Sequence, residues 1–381
     1  MNLSLILHSN IIHGVGELNN LAKHVKDLGL VNTGIICDKN LYQNSAYVSK
    51  VVKNFIMNSE FLFFYDSPFE PSYQYIDKLM ETVRITKLDK KIDSWVAIGG
   101  GSVMDTAKAL AILCRNEGES IKFKGFPKKL NEPLPVIAVP STTGTGSEVV
   151  FNASFIVEKN KVKMGINYEK NYPVLSILDP LVVSSAPISV LISSGCDALV
   201  HALEGFVSTK SNPHTRSFSA HAFKLIIQNM PIILSGKGNL EHWSNMQWAA
   251  VFAMYGLSNS TSGPTGALSY YLGTHFKVPH GIAGALFIGK VTRHNHDNGY
   301  HDYAQLYHWK ENGLPDKDKS NIVVEKIEKL LNQTGIPLDL KNYGVQEDDY
   351  PSFMEFCKQA QAAFNFNPIE INENQIYTLL Q

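Results

Sequence analysis

The first half of the chain alternates short β-rich runs with runs of helical spacing, and this alternation restricts the possible folds more than any other feature. The runs that read as strands are the amino-terminal segment and residues 33–38, 60–66, 94–100, 133–141 and 173–180. Helical segments separate most of them. Since crossover helices between successive strands produce parallel pairing, the pattern predicts a parallel, doubly wound sheet.

Beyond residue 183 the pattern changes. The segments carry apolar residues at helical spacing, and strand signals almost disappear. A chain of 381 residues is long enough for two ordinary domains. We therefore predict an α/β domain over residues 1–183 and an all-α helical domain over residues 184–381.

Composition and charge argue against several classes of partner. The formal net charge is −1 and no basic run stands out, so we expect no nucleic-acid partner. No segment reaches the roughly 18 uninterrupted apolar residues of a transmembrane helix, and the first residues lack the basic region of a signal peptide. Cys37, Cys114, Cys196 and Cys357 are widely scattered, which fits a reducing compartment and predicts a cytoplasmic location.

Three residues of the second half have the chemistry of metal ligands. Asp197 and His201 are four residues apart in a helical segment, so their side chains project from one face and can bind one divalent cation. His280, in the sequence Val-Pro-His-Gly, offers a third ligand. A fourth ligand is expected in the tract before it, where we treat the histidine at position 275 as structural.

Two loops of the first half resemble phosphate-binding segments. Gly99, Gly100 and Gly101 follow a predicted strand and precede a predicted helix whose first residues include Ser102 and Asp105. Glycines allow close approach to a pyrophosphate, and the helix amino terminus supplies N–H donors. The order differs from the GxGxxG fingerprint, so a simple tight turn explains this segment equally well.

The second loop, residues 139–150, follows the next predicted strand. Its hydroxyls, including those of Thr142, Thr143 and Thr145, can bind a nicotinamide ribose or a phosphate, although a Ser/Thr-rich surface turn is the simpler interpretation. Asp38 ends the strand at 33–38, where a carboxylate can bind ribose hydroxyls or only cap a helix. Lys163 can stabilise cofactor oxygens or lie in solvent.

Together these motifs resemble the iron-containing (group III) alcohol dehydrogenase family. AIGGGSVMDTAKA, TTGTGSE, SILDP, GCDALVHALEGFVS and VPHG occur in the order and spacing of that family. The resemblance implies a dinucleotide-binding α/β domain, a helical domain that binds metal and substrate, and an active site in the cleft between them. It also implies a nicotinamide cofactor, a divalent iron or zinc ion held by one Asp and three His, and a homodimer.

The resemblance assigns roles to individual residues. The pyrophosphate loop comprises Gly99, Gly100, Gly101, Ser102 and Asp105, and the second cofactor loop comprises Thr142, Thr143, Thr145 and Ser147. Asp38 takes the position that favours NAD over NADP, and Lys163 takes a position near the nicotinamide ribose. Asp197, His201 and His280 take three of the four metal-ligand positions.

The chain departs from the family at two histidine positions. Gly266 stands where the fourth ligand is expected, and Tyr270 stands where a histidine linked to proton transfer is expected. One interpretation is an altered metal site with three protein ligands and open positions. Another is a metal-independent reductase in which Tyr270 polarises the carbonyl or donates a proton, and a third is that this tyrosine only packs.

These features predict an NAD(H)-dependent alcohol dehydrogenase or aldehyde reductase that acts on a small-molecule alcohol or aldehyde. The tract GALSYYLG resembles a subset of the family that acts on phosphonate aldehydes or octulosonate sugars. Lys277, Lys290 or Arg293 could bind the anionic group of such a substrate. Two alternatives stay open: an NAD-binding protein without redox activity, and a lyase similar to dehydroquinate synthase.

Overall fold

The chain forms two compact units. The computed structural model describes residues 5–56, 62–66, 70–308 and 313–381. One unit spans Leu7–Pro187, and the other comprises Ile188–Gln381 with Leu5 and Ile6. The first is an α/β unit and the second is helical.

A six-stranded sheet forms the centre of the α/β unit. Its strands are β1 (Asn10–His13), β2 (Thr33–Asp38), β3 (Leu62–Tyr65), β4 (Ser94–Gly99), β5 (Val136–Pro140) and β8 (Leu175–Leu178). Their order is β1-β8-β5-β4-β2-β3, and every pair is parallel. The predicted strand at 60–66 includes residues 60 and 61, which lie outside the described residues. The predicted parallel sheet is confirmed.

Apolar side chains cover both faces of this sheet. Along β2, Ile35 and Cys37 belong to one buried cluster and Ile36 belongs to the other, as the alternation of side chains in a strand requires. The helices that pack on the two faces are α1 (Leu21–Asp27), α2 (Lys39–Asn44), α3 (Ala46–Ile56), α4 (Tyr73–Ile85), α5 (Gly101–Leu113) and α6 (Pro180–Val183). Short 3₁₀ helices occupy Glu17–Asn20, Leu88–Lys90, Ser120–Phe123 and Ser147–Val149.

A β-hairpin that the sequence analysis did not predict follows β5. Strands β6 (Asn152–Val157) and β7 (Val162–Asn167) pair antiparallel, and Lys161 in the connecting turn has a φ of 53°. Ala153 and Phe155 are buried while their neighbours are less so. Two runs with a period of two and a short polar connection are a hairpin signal that the sequence contains.

The helical unit consists of nine α-helices in its described residues. They are α7 (Ile188–Val207), α8 (Pro213–Leu234), α9 (Leu240–Ser258), α10 (Pro264–Phe276), α11 (His280–Asp297), α12 (Asp316–Gln333), α13 (Tyr350–Gln359), α14 (Gln361–Phe364) and α15 (Glu373–Leu380). Shorter 3₁₀ helices cover Asp302–Leu306, Leu340–Tyr343 and Glu347–Asp349. The described part of this unit contains no strand, so the predicted all-α second half is confirmed.

Helix α7 is the central helix of this unit and packs against α8, α9 and α11. Its length and apolar composition would allow it to cross a membrane, but 78% of its most apolar window is buried inside the protein. A helix that is apolar on all sides is expected at the centre of a core. The position of α7 therefore accounts for its composition.

Asp179, in the sequence SILDP, anchors the end of β8. Its fully buried carboxylate accepts hydrogen bonds from the backbone N–H groups of Gly16, Leu18 and Leu181 and from the hydroxyl of Tyr47. A buried carboxylate is stable when several donors replace its water shell. This acid therefore joins β8 to the segment that follows β1.

Candidate active site

Asp197, His201 and His280 form a cluster in the helical unit. Asp197 Oδ1 lies 3.5 Å from His201 Nε2 and 3.8 Å from His280 Nε2, and the three ligand atoms lie within 4.8 Å of one another. One oxygen and two imidazole nitrogens at this spacing can bind a single divalent ion such as iron or zinc. The donor set therefore fits a metal site with three protein ligands.

Close approach of α11 to α7 brings His280 to this cluster. A Cβ atom on Gly281 would overlap the carbonyl oxygen of Ser193 and lie 2.7 Å from its carbonyl carbon. A Cβ on Gly284 would lie 2.8 Å from Val200 Cγ2. Only glycine allows the two helices to approach this closely, so the glycine of Pro-His-Gly fixes the position of the preceding histidine.

The corner beside Gly266 contains a buried carboxylate. Glu204 Oε2 accepts hydrogen bonds from Ser262 Oγ (2.7 Å) and the N–H of Gly263 (2.8 Å), and Oε1 accepts one from the N–H of Gly266 (3.1 Å). A carboxylate at a helix amino terminus is stabilised by the exposed N–H groups and the helix dipole. Glu204 therefore holds the start of α10.

Oxygen atoms of Ser262 and Glu204 occupy the space beside Gly266, the position at which a fourth ligand is expected. A Cβ on Gly266 would overlap Ser262 Oγ and lie 3.2 Å from Glu204 Oε2. Glu204 was not among the residues predicted from the sequence, although it stands one turn after His201 on the same helix. No fourth His, Cys, Asp or Glu joins the cluster among the described residues.

Tyr270 lies beside the cluster. Its ring stacks on the imidazole of His280 with centroids 4.9 Å apart and an angle of 17° between the planes. The tyrosine is 38% exposed, so it is not a buried core residue. His275 instead stacks on Tyr271, in agreement with a structural role.

Lys290 and Arg293, two basic residues near His280 in sequence, contact other parts of the helical unit. Lys290 donates to the carbonyl oxygen of Leu379, and burial lowers the pKa of its amine. Arg293 forms a two-point contact with the carboxylate of Glu328 at 2.9 Å. Lys277 is exposed and ends α10 in the left-handed conformation, with a φ of 57°.

The two glycine-containing loops of the α/β unit lie against each other at the carboxyl ends of β4 and β5. A Cβ on Gly100 would be 3.1 Å from Thr142 Cγ2, and one on Gly101 would be 2.7 Å from Thr145 Cγ2. A side chain at Gly101 would overlap Thr145, and one at Gly100 would make a tight contact with Thr142, so packing between the loops favours glycine at both positions. The carboxyl edge of parallel strands, next to the amino terminus of a helix, is also where nucleotide phosphates bind.

The hydroxyl of Thr142 supports the fit of this edge to a cofactor. Its Oγ1 is buried and has no hydrogen-bond partner among the described residues. Buried hydroxyls normally have a partner, so this atom is suited to contact a bound molecule. Thr143 is buried, and Ser102 is partly exposed on the first turn of α5.

Asp105 and Ser147, two predicted cofactor residues, bind each other. Ser147 Oγ donates to Asp105 Oδ1 at 2.6 Å, and the N–H of Ser154 donates to Asp105 Oδ2 at 2.8 Å. The acid thus connects α5 to the second loop and to β6. These contacts are internal to the protein.

Asp38 and Lys163 also have protein partners. Asp38 Oδ1 accepts a hydrogen bond from the N–H of Leu41 at 2.7 Å and caps α2. Lys163 lies on the hairpin strand β7, and its Nζ is 2.7 Å from Glu70 Oε1. The capping alternative describes Asp38 as observed, and the roles of both residues toward a cofactor stay predictions.

Comparison with known proteins gives matches over almost the whole chain. Residues 8–180 match the profile of iron-containing alcohol dehydrogenases, and residues 191–381 match the carboxyl-terminal profile of the same family. The chain is 32% identical to the 1,3-propanediol dehydrogenase of Citrobacter freundii over 74% of each chain. It is 29% identical to the sulfoacetaldehyde reductase of Bilophila wadsworthia (strain 3_1_6), over 97% of this chain and 96% of that protein.

Solved structures agree with these matches. The crystal structure of a 1,3-propanediol oxidoreductase superposes with a TM-score of 0.89 at 27% identity, covering 100% of this chain and 99% of the other. The sulfoacetaldehyde reductase of Bifidobacterium kashiwanohense, solved with NAD⁺, gives a TM-score of 0.86 at 26% identity, covering 100% and 98%.

Substitution of Gly281 tests the geometry of the cluster. In Gly281→Ala the new methyl group would push α11 away from Ser193, so His280 would move away from Asp197. We expect a lower metal content after incubation with Zn²⁺ or Fe²⁺ and desalting, measured by elemental analysis. Gly289→Ala on the same helix is the control, because its methyl group would contact only the side-chain end of Leu331. Equal metal content in the two variants would contradict this account.

Proposed function

Because the chain belongs to the iron-containing alcohol dehydrogenase family, we propose that it transfers a hydride from NADH to the carbonyl carbon of a small aldehyde, or in reverse from the hydroxyl-bearing carbon of the alcohol to NAD⁺. The resemblance drawn from the motifs is confirmed, and the chain is an oxidoreductase of the alcohol dehydrogenase type. The family binds NAD and a metal. The observation that carries the proposal is the cluster of Asp197, His201 and His280.

We assign the metal-binding role to these three residues, within the proposed metal and substrate domain at 184–381. A bound divalent ion supplies Lewis acidity toward a carbonyl or alkoxide oxygen. Asp197 contributes the anionic ligand from a buried position, and the two imidazoles are more accessible, with side-chain exposures of 12% for His201 and 23% for His280. Three protein ligands leave a position at which a substrate oxygen can bind.

The cofactor role falls to the proposed dinucleotide-binding domain at 1–183. The backbone of Gly99–Ser102 and the amino terminus of α5 are suited to the pyrophosphate. The hydroxyl of Thr142, which has no hydrogen-bond partner in the described part of the chain, is suited to a cofactor oxygen. Asp38 at the end of β2 favours NAD, since its carboxylate would repel a 2′-phosphate. Lys163 is assigned to the nicotinamide ribose, with Glu70 as its protein partner.

Tyr270 provides a second candidate mechanism. Its stacking on His280 places the aromatic ring beside the cluster, and its partial exposure leaves the side chain accessible. A phenol can donate a proton to an alkoxide as it forms. If no metal binds, the same residue would polarise the carbonyl by a hydrogen bond, which makes the protein a metal-independent reductase.

The remaining alternatives have less support. An NAD-binding protein without redox activity would not need a ligand cluster, and a lyase of the dehydroquinate synthase type would need several basic residues for a substrate phosphate.

The proposed assembly is a homodimer. The four cysteines are buried and none forms a disulfide, which favours the cytoplasm.

Asp197→Asn tests the metal-dependent mechanism. Loss of the anionic ligand should lower the metal content and reduce kcat/KM for aldehyde reduction by about 100-fold or more. The NAD⁺ affinity should be unchanged, because the assigned cofactor residues lie in the other unit. Elemental analysis, NADH oxidation and cofactor titration measure the three quantities. Unchanged activity with no metal in either protein would exclude this mechanism.

Tyr270→Phe distinguishes the two mechanisms. The variant keeps the ring that stacks on His280 and removes only the hydroxyl. We expect kcat to fall by about 100-fold with the metal content unchanged if the phenol transfers a proton. Tyr377→Phe, another partly exposed tyrosine of the helical unit, is the matched control. Equal kcat in both variants and the unmodified protein would show that Tyr270 only packs.

An anionic aldehyde is the substrate class that we propose. The similarity to sulfoacetaldehyde reductases supports it. Lys277 is the assigned anion contact because it is exposed and lies three residues before His280 in the chain. We expect a higher kcat/KM for a two-carbon sulfonate or phosphonate aldehyde than for propanal. Lys277→Gln should remove most of that preference by raising KM, whereas Lys326→Gln should leave it intact. Equal kcat/KM for charged and neutral aldehydes would refute the anionic substrate.

A further inference from the structure

Lys108 is a fully buried lysine of α5 that none of the assigned roles uses. Its Nζ donates to the carbonyl oxygen of Ser147 at 2.6 Å, to Ser147 Oγ at 2.7 Å and to the carbonyl oxygen of Asn152 at 2.9 Å. An ammonium group has three hydrogens, and here each has an acceptor. A neutral amine has two hydrogens and would leave one of these acceptors without a donor.

The network continues to Asp105, one turn earlier on the same helix. Ser147 Oγ accepts from Lys108 and donates to Asp105 Oδ1, while Nζ itself lies 3.7 Å from that oxygen. The ammonium group donates to the hydroxyl, and the hydroxyl in turn donates to the carboxylate. Such buried networks are strong only when every member is satisfied, and this one is satisfied in the charged form.

This network anchors the second loop at its end. The loop residues Thr142 and Thr145 contact the glycines that begin α5, and Ser147 closes the same segment onto the middle of that helix. Helix α5 therefore begins at the glycine loop, and two turns later it carries Lys108, which binds the second loop. The contact between Lys108 and Ser147 thus attaches the end of the second loop to the helix that begins at the glycine loop.

We propose that Lys108 is a positioning residue that holds residues 141–147 against the glycine loop, and that its positive charge is required for high-affinity NAD binding. The inference rests on the proposed role of the two loops in binding the cofactor. Lys108 has no exposed surface, so it acts through Ser147 and not by touching the dinucleotide.

The charge requirement makes cofactor binding depend on pH. Burial lowers the pKa of Lys108 to about 8, although Asp105 on the same helix and Glu148 on the adjoining 3₁₀ helix oppose the shift. Burial also raises the pKa of Glu148 to about 7, so this carboxylate is mostly charged in the pH range where Lys108 loses its proton. If the complex with NAD⁺ requires the ammonium form, binding takes up a proton above this pKa. The dissociation constant should then rise by about tenfold per pH unit.

The test is calorimetric titration of the full-length protein with NAD⁺ from about pH 6.5 to pH 9.5. We expect the Kd of the unmodified protein to be flat at low pH and to rise above pH 8. Lys108→Met should bind at least about tenfold more weakly at neutral pH and lose the rise. Asp105→Asn should move the midpoint to lower pH, because Asp105 raises the pKa of the lysine. Lys26→Met, on the exposed side of α1, is the matched control and should change neither quantity.

The outcomes separate this proposal from the cofactor role itself. If the unmodified protein binds no NAD⁺ at any pH, the role assigned to the loops is wrong and the proposal is overturned with it. If the unmodified protein binds but Lys108→Met has the same Kd and pH profile, only the role of Lys108 is wrong. If circular dichroism shows that Lys108→Met does not fold, the Asp105→Asn midpoint decides, and an unmoved midpoint overturns the proposal.

Discussion

The contact between the backbones of α7 and α11 is the constraint on which the ligand cluster depends. Gly281 lies so close to Ser193 that no side chain fits, and His280 precedes it directly. The spacing of the cluster is therefore set by the positions of two helices, and side-chain rotamers make only the final adjustment. Core substitutions that repack side chains elsewhere can be absorbed by rotamer changes, whereas a change at this contact would have to move a whole helix.

Acids that accept several hydrogen bonds serve a comparable purpose in each unit: Glu204 is buried and Asp105 is partly buried. Glu204 satisfies N–H groups at the start of α10, which carries Tyr270, and Asp105 satisfies Ser147 and Ser154 beside the second loop. In both cases a carboxylate with several donors fixes a segment next to a proposed functional group. The segment loses conformational freedom before any ligand binds, which lowers the entropic cost of binding.

Sequence reasoning could predict the parts of this protein that depend on local patterns. The parallel sheet and the helical second half were predicted correctly because strand and helix periodicities are local, and the i,i+4 spacing brought Asp197 and His201 together on α7. The hairpin β6–β7 was missed although its period of two was readable. The partners of Asp105, Lys108 and Glu204 could not be read, because they lie tens of residues away in the chain.

The conformation of Lys277 shows a conflict between stability and charge. A left-handed backbone costs a non-glycine residue about 1–2 kcal/mol, and glycine commonly ends helices at this position. Lysine here instead places a positive charge at the carboxyl end of α10, where the helix dipole favours it. Replacing it with glycine would relax the backbone and remove the cation three residues before His280. The residue that best fits the backbone at position 277 therefore differs from the residue that suits the proposed anion contact.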